Sequence, residues 1–191
     1  MAWLREGFTS LNLMHYNEGA SSSSNIVFLA NRTKERWVDR RSGKITYLLH
    51  AGSLIESSGA GQECWNLSHW EKTSSIAELK KTHRLHVKGA ISMPELTPGV
   101  LYEAVYEIKL KRGGYGWEHP VTLTLSVPGE RARSRRVNFY ELPRGEWIEV
   151  KVGEFKTRPG ETGQVSFELL QDEAHDKKGL VLKSAIVRPK T

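Results

Sequence analysis

Across its second half this chain alternates apolar and polar residues, and short runs of turn-forming residues interrupt the pattern. Val121-Thr122-Leu123-Thr124-Leu125-Ser126-Val127 is the plainest case, with every apolar residue on one parity and every hydroxyl on the other. Ile148, Val150 and Val152 repeat the pattern, as do Val165, Phe167 and Leu169, and the chain closes on the apolar run around Gly179 to Ile186. A two-residue period sorts side chains onto the two faces of a strand, whereas a helix would scatter them around its axis. Many short strands separated by Gly and Pro turns predict an all-β domain, an antiparallel sandwich or barrel.

The first half is harder to read. Trp37-Val38-Asp39 and Ile45-Thr46-Tyr47-Leu48-Leu49 flank Arg41-Ser42-Gly43-Lys44 and predict a hairpin. Leu85, Val87 and Ile91 form a further strand face, and Tyr102, Ala104, Tyr106, Ile108 and Leu110 another. Residues 74–81 are the one helical competitor, with Ser74 as N-cap and about two turns of length. Residues 1–25 read as a separate leader, because Gly19-Ala20 and four consecutive serines have linker composition. Within it, Trp3 to Tyr16 fits either a short amphipathic helix or a weakly ordered segment. The domain proper is expected over 26–191.

With 191 residues, the chain suits one well-cored domain plus an extension. Its 28 Lys and Arg against 22 Asp and Glu give a charge of +6, which favours anionic partners only weakly. A single cysteine, Cys64, excludes an internal disulfide. The N-terminus has no apolar core of a signal peptide, and no run approaches the ~20 apolar residues of a membrane span. The expectation is a soluble intracellular chain without membrane contact, whose triplets at Asn31 and Asn66 stay unmodified.

The motifs of catalysis are missing. There is no nucleophile elbow, Walker loop or dinucleotide fingerprint. Gly113-Gly114-Tyr115-Gly116-Trp117 precedes a strand rather than a helix, so a hairpin loop explains it better than a phosphate cradle. His83 and His86 fall on opposite faces of a strand, and one cysteine cannot build a zinc site. No enzyme activity, cofactor or metal is expected. Arg131-Ala132-Arg133-Ser134-Arg135-Arg136 forms the strongest basic run, read as a charged hairpin tip guarding a sheet edge, with RNA as a second reading. Trp65 and Trp70 lie in a polar stretch, and an indole there offers a flat apolar face to a sugar ring. Of the two, one is expected to be open to water and the other buried.

Several segments together resemble the plant phloem protein 2 family, Nictaba-like lectins included. They are Trp37-Val38-Asp39 through Tyr47-Leu48-Leu49, Ile76-Ala77-Glu78-Leu79, Val87-Lys88-Gly89, Leu96-Thr97-Pro98-Gly99, Tyr115-Gly116-Trp117-Glu118, Trp147 to Phe155, and Gly179-Leu180 to Arg188-Pro189. Their order holds from about residue 34 to 190. The resemblance implies a jelly-roll-like β-sandwich that binds N-acetylglucosamine oligomers or N-glycan cores. It also implies a homodimer in cytoplasm, nucleus or phloem sap, some relatives binding RNA, and no catalytic residue. Carried over by position, Trp65 matches the family's stacking tryptophan and Gln164 and Gln171 its sugar-binding acids; with Glu168 and Lys177 added, these form the expected polar rim around the Trp65 platform. Ser58 stands where the family has a further tryptophan, and Gln164 and Gln171 stand near family acids. An amide lacks the charged acceptor of a carboxylate, which implies a weaker or different glycan preference.

Overall fold

The computed structural model describes residues 26–29, 33–58, 62–69 and 75–190. The leader, Asn31 and Trp70 lie outside them. Along the chain run β1 (Val27–Leu29), β2 (Lys34–Val38), β3 (Ile45–His50) and helix α1 (Ala51–Ser57), then β4 (Trp65–His69), β5 (Ser75–Leu79) and β6 (Leu85–Ser92). The long β7 (Leu101–Tyr115) leads to β8 (Val121–Ser126), β9 (Arg133–Val137), β10 (Trp147–Lys156), β11 (Gln164–Gln171) and β12 (Lys178–Pro189).

Every strand pairing is antiparallel, in two sheets. The large sheet is organised on β12. One edge of β12 pairs with β7, which in turn pairs with β10. The other edge meets β5 at Val181 and Leu182, then β3 from Ser184 to Val187. The register slips between Leu182 and Ser184, where the partner changes, so the extra residue lets one strand serve two neighbours. Strands β2 and β1 continue beyond β3, and β4 beyond β5. The small sheet has the order β6-β11-β8-β9.

The alternation read from sequence decides which faces meet. Val121, Leu123 and Leu125 of β8 and Val165, Phe167 and Leu169 of β11 are buried, as are Tyr102, Tyr106 and Ile108 of β7. Tyr106 spans the layers: its ring meets the edge of Phe167 at 5.8 Å, and its hydroxyl donates to the Phe167 carbonyl at 2.8 Å. A phenol buried without that acceptor would be strongly destabilising. The result is the expected all-β sandwich, and the Trp37–Leu49 hairpin forms with Trp37 opposite Thr46.

Three local expectations are corrected. Residues 75–79 form β5 rather than a helix, because Ala77 and Leu79 are fully buried between β4 and β12, and strand pairing outweighs weak helix propensity. Residues 51–57 form α1, whose Ala51, Leu54 and Ile55 are buried at helical spacing. Gly113 and Gly114 belong to β7 rather than to a hairpin loop. Gly114 lies close against Gly179, where a side chain on either would meet the other's backbone. The basic run supplies β9, an edge strand. Its Arg133 and Arg135 stay exposed and reach across to donate to the carbonyls of Glu154 and Lys151 on β10, the edge of the other sheet. Charges along an edge strand block edge-to-edge pairing.

Candidate functional site

The sandwich leaves a cavity of about 430 Å³ between the β4–β5 border of the large sheet and β6 of the small one. Trp65 of β4 and Leu79 of β5 form its apolar floor, with Leu85 opposite. Ser58, just past α1, closes one side. Its hydroxyl donates to the Leu54 carbonyl at 2.6 Å and accepts the Lys88 N–H of β6 at 2.9 Å, pinning the helix end to the strand edge. Glu63 and Cys64 supply a second lip, and Thr82, Arg84 and His86 supply the far wall.

Trp65 is not open to water as expected: it is 7% exposed. Pairing opposite Leu79 turns the indole to the inner face of the sheet, and only its cavity side remains accessible. The polar groups are better exposed. Among the described residues neither Glu63 nor Arg84 has an ion-pair partner, so the cavity presents a free carboxylate and a free guanidinium. Thr82 fixes the wall by donating to the Arg84 carbonyl at 2.8 Å.

His86 is oriented by Glu168, whose Oε2 lies 3.0 Å from Nε2, while Glu168 Oε1 meets Lys88 Nζ at 3.2 Å. Burial pushes the Glu168 carboxyl up, but hydrogen bonds from His86 and Lys88 outweigh it and hold the group below the usual carboxylate range. A carboxyl depressed in the folded state contributes stability that is complete above its unfolded pKa and lost as pH falls through the folded one. Glu168→Gln is therefore expected to lower stability by about 1 kcal/mol at pH 7. The gap from wild type should close below the ordinary carboxylate range, which thermal melts between pH 7 and pH 2 would read.

The remaining predicted rim residues are dispersed. Lys177 is fully buried, and its Nζ donates to the carbonyls of His83, Glu173 (2.7 Å) and His175 (3.0 Å). Desolvation lowers its pKa. Backbone hydrogen bonds join Lys177 to Thr82 in both directions, and Asp176 binds Lys81 at 2.7 Å. Lys177 thus supports the cavity wall from behind. Gln171 is 2% exposed and gives its amide N–H to the His119 carbonyl at 3.2 Å, facing the interior. Gln164 sits at the opposite end of β11, beside Ser92 and roughly 23 Å along the strand from Gln171. The structure therefore brings Trp65 and, through His86, Glu168 to one place; Gln171 pairs opposite Leu85 at the same end of the sheet but turns its amide to the His119 carbonyl, and Gln164 lies at the far end of β11. Glu63, Thr82 and Arg84 also line the cavity, and no local sequence signal points to them.

Residues 44–189 match the family model described as phloem protein 2. The chain belongs to the phloem protein 2 family. A protein named Lectin from Luffa acutangula is 33% identical over 168 residues, covering 86% of this chain and 80% of that one. Protein PHLOEM PROTEIN 2-LIKE A1 of Arabidopsis thaliana is 31% identical over 196 residues, covering 99% of this chain and 79% of its own. F-box protein VBF of the same plant is 27% identical, with 86% and 73% covered. The phloem protein 2 match spans β3 through β12, and with them every cavity residue. No helix among the described residues is long and apolar enough to cross a membrane.

Proposed function

We propose that this chain is a carbohydrate-binding lectin that receives an N-acetylglucosamine-containing glycan in the Trp65 cavity and performs no chemistry on it. The observation that carries this reading is the pairing of an indole side with a carboxylate, Glu63, and a guanidinium, Arg84, that have no ion-pair partner among the described residues, around one cavity. Sugar hydroxyls both donate and accept, so a carboxylate and a guanidinium together satisfy them, while the ring C–H face suits the indole. The lectin name of the Luffa relative supports the same ligand class. Cytoplasm, nucleus or phloem sap are the compartments such a role fits.

Trp65→Ala is a poor test alone, because emptying a buried indole site costs about 3 kcal/mol or more of stability. Arg84→Ala and Glu63→Gln are cleaner, both residues being exposed. Each is expected to weaken chitotriose binding about tenfold or more, with the thermal midpoint within about 2 °C of wild type. Calorimetric titration showing unchanged affinity in both variants would remove the glycan from this cavity.

RNA binding is the second reading, favoured by the exposed arginines at 131 and 136. It is narrowed by the commitment of Arg133 and Arg135 to carbonyls of β10. Affinity for a U-rich oligonucleotide that does not fall with salt would dismiss it.

A further inference from the structure

We infer that the ligand path does not end in the Trp65 cavity but continues across the outer face of the small sheet to Arg136, so that the preferred occupant is an oligosaccharide carrying a carboxylate or sulfate some rings beyond the one seated on Trp65. The inference rests on the lectin reading above and adds to it a direction, a length and a charge.

The direction follows from β6. Leu85 is buried in the core, so His86 beside it projects to the outer face; His86 lines the cavity, as does the exposed Arg84 just before the strand. The cavity therefore opens onto that face. Strand register then defines what lies beyond: His86 is opposite Leu170 of β11, Leu170 opposite Thr122 of β8, and Thr122 opposite Arg136 of β9. These four positions form one row across the whole sheet, three strand spacings or roughly 14 Å long. A parallel row, Lys88, Glu168, Thr124 and Ser134, runs beside it, with Thr124 and Ser134 hydroxyls 2.8 Å apart. Between the basic ends the row offers only a half-buried leucine and a threonine, a low strip on which an extended polar chain can lie.

The charge follows from the pairing pattern. Glu168 is the one carboxylate in these two rows; Lys88 pairs with it and His86 occupies its second oxygen. Arg84 at the cavity and Arg136 at the far edge have no ion-pair partner among the described residues. A path with a free guanidinium at each end favours an anionic group at the distal position, because Arg binds carboxylate and sulfate-type oxygens through charge-assisted hydrogen bonds. Nucleic acid fits less well, since the rows carry no Phe, Tyr or Trp platform and their one aromatic ring, His86, is held edge-on by Glu168 through Nε2.

The test uses hyaluronan hexasaccharide, which alternates N-acetylglucosamine with glucuronate, against the same oligosaccharide with its carboxyls reduced to alcohols. Wild type, Arg84→Ala and Arg136→Gln are titrated calorimetrically with both, and with chitotriose. Wild type is expected to prefer the charged hexasaccharide, and rising salt should shrink the preference. Arg136→Gln should lose about tenfold in affinity for the charged form, and little for the reduced form or chitotriose. Equal binding of the charged form by wild type and Arg136→Gln overturns the path to Arg136, as does wild-type binding of chitotriose without preference for the charged form. In either event a loss in Arg84→Ala keeps the cavity. Failure of wild type to bind any of the three overturns both readings. Binding of a U-rich oligonucleotide that Arg136→Gln weakens, with no glycan bound, assigns the strip to RNA instead.

Discussion

Val150→Asp is expected to leave the chain unfolded at neutral pH. Val150 lies on β10 opposite Tyr106, 5% exposed, on the face it shares with Ile148 and Phe155. An aspartate there would stand among Ile148, Tyr106 and Phe155, and an unpaired buried charge is destabilising by several kcal/mol, a large part of the 5–15 kcal/mol that typically holds a domain together. The site raises the carboxyl pKa in the folded state above its unfolded value of about 3.9. The penalty is therefore absent below the unfolded pKa and grows as pH rises through the folded one. Near-ultraviolet circular dichroism should show little tertiary signal at pH 7 and partial recovery near pH 4. Val150→Ala, which only opens a small void, should cost about 2 kcal/mol with no such pH dependence. A folded aspartate variant at pH 7 would place β10 with the opposite face inward.

Gly116→Ala should be the most damaging single-methyl change at the cavity end of the molecule. Gly116 has φ +86°, a conformation that L side chains rarely adopt, and a Cβ there would collide with the Asp176 carbonyl and stand 2.8 Å from Lys177 Cα. Neither neighbour is a flexible tip. Its own carbonyl accepts the His175 ring N–H at 2.9 Å, and the adjoining Trp117 is fully buried with its indole N–H on the Lys178 carbonyl at 3.1 Å. Relief of the collision must push residues 172–177 away, and Lys177 and Asp176 in that segment hold Lys81, Thr82 and His83, the residues that lead into Arg84. The expected cost is about 3 kcal/mol or more, a midpoint drop of roughly 6–12 °C for a domain of this size. Chitotriose affinity should fall with it. Gly160→Ala is the control: φ is +75° there too, but nothing stands within 4 Å of the added methyl, so only the conformational cost of about 1–2 kcal/mol applies. Equal midpoints for the two variants would show that residues 172–177 yield without loss.

The contrast between these sites marks what a sequence can disclose. Strands β8, β10 and β11 are legible because each has one dry face and one wet face, so the residue types themselves spell the period. The segment 75–79 is not, since β5 lies between two neighbours and its identity depends on partners more than 90 residues away on β12. The helix over residues 51–57 had a readable signal in Ala51, Leu54 and Ile55, hidden by the glycine and serine between them. The cavity was the least accessible. Its polar stretch gave Trp65 the look of an exposed indole, yet the pairing with Leu79 sets which way the ring turns, and only the packing of the two sheets brings Arg84, just before β6, to the same cavity. Gln164 and Gln171 share one strand and suggested one rim, but their seven-residue separation carries them to opposite ends of the sandwich.

The position of β12 in chain order has a consequence for biosynthesis. Because β3, β5 and β7 all wait for residues 178–189, the large sheet cannot close while the ribosome is still producing the preceding strands. During that interval three hydrogen-bonding edges stay open in the nascent chain, a window in which chaperone protection decides between maturation and coaggregation.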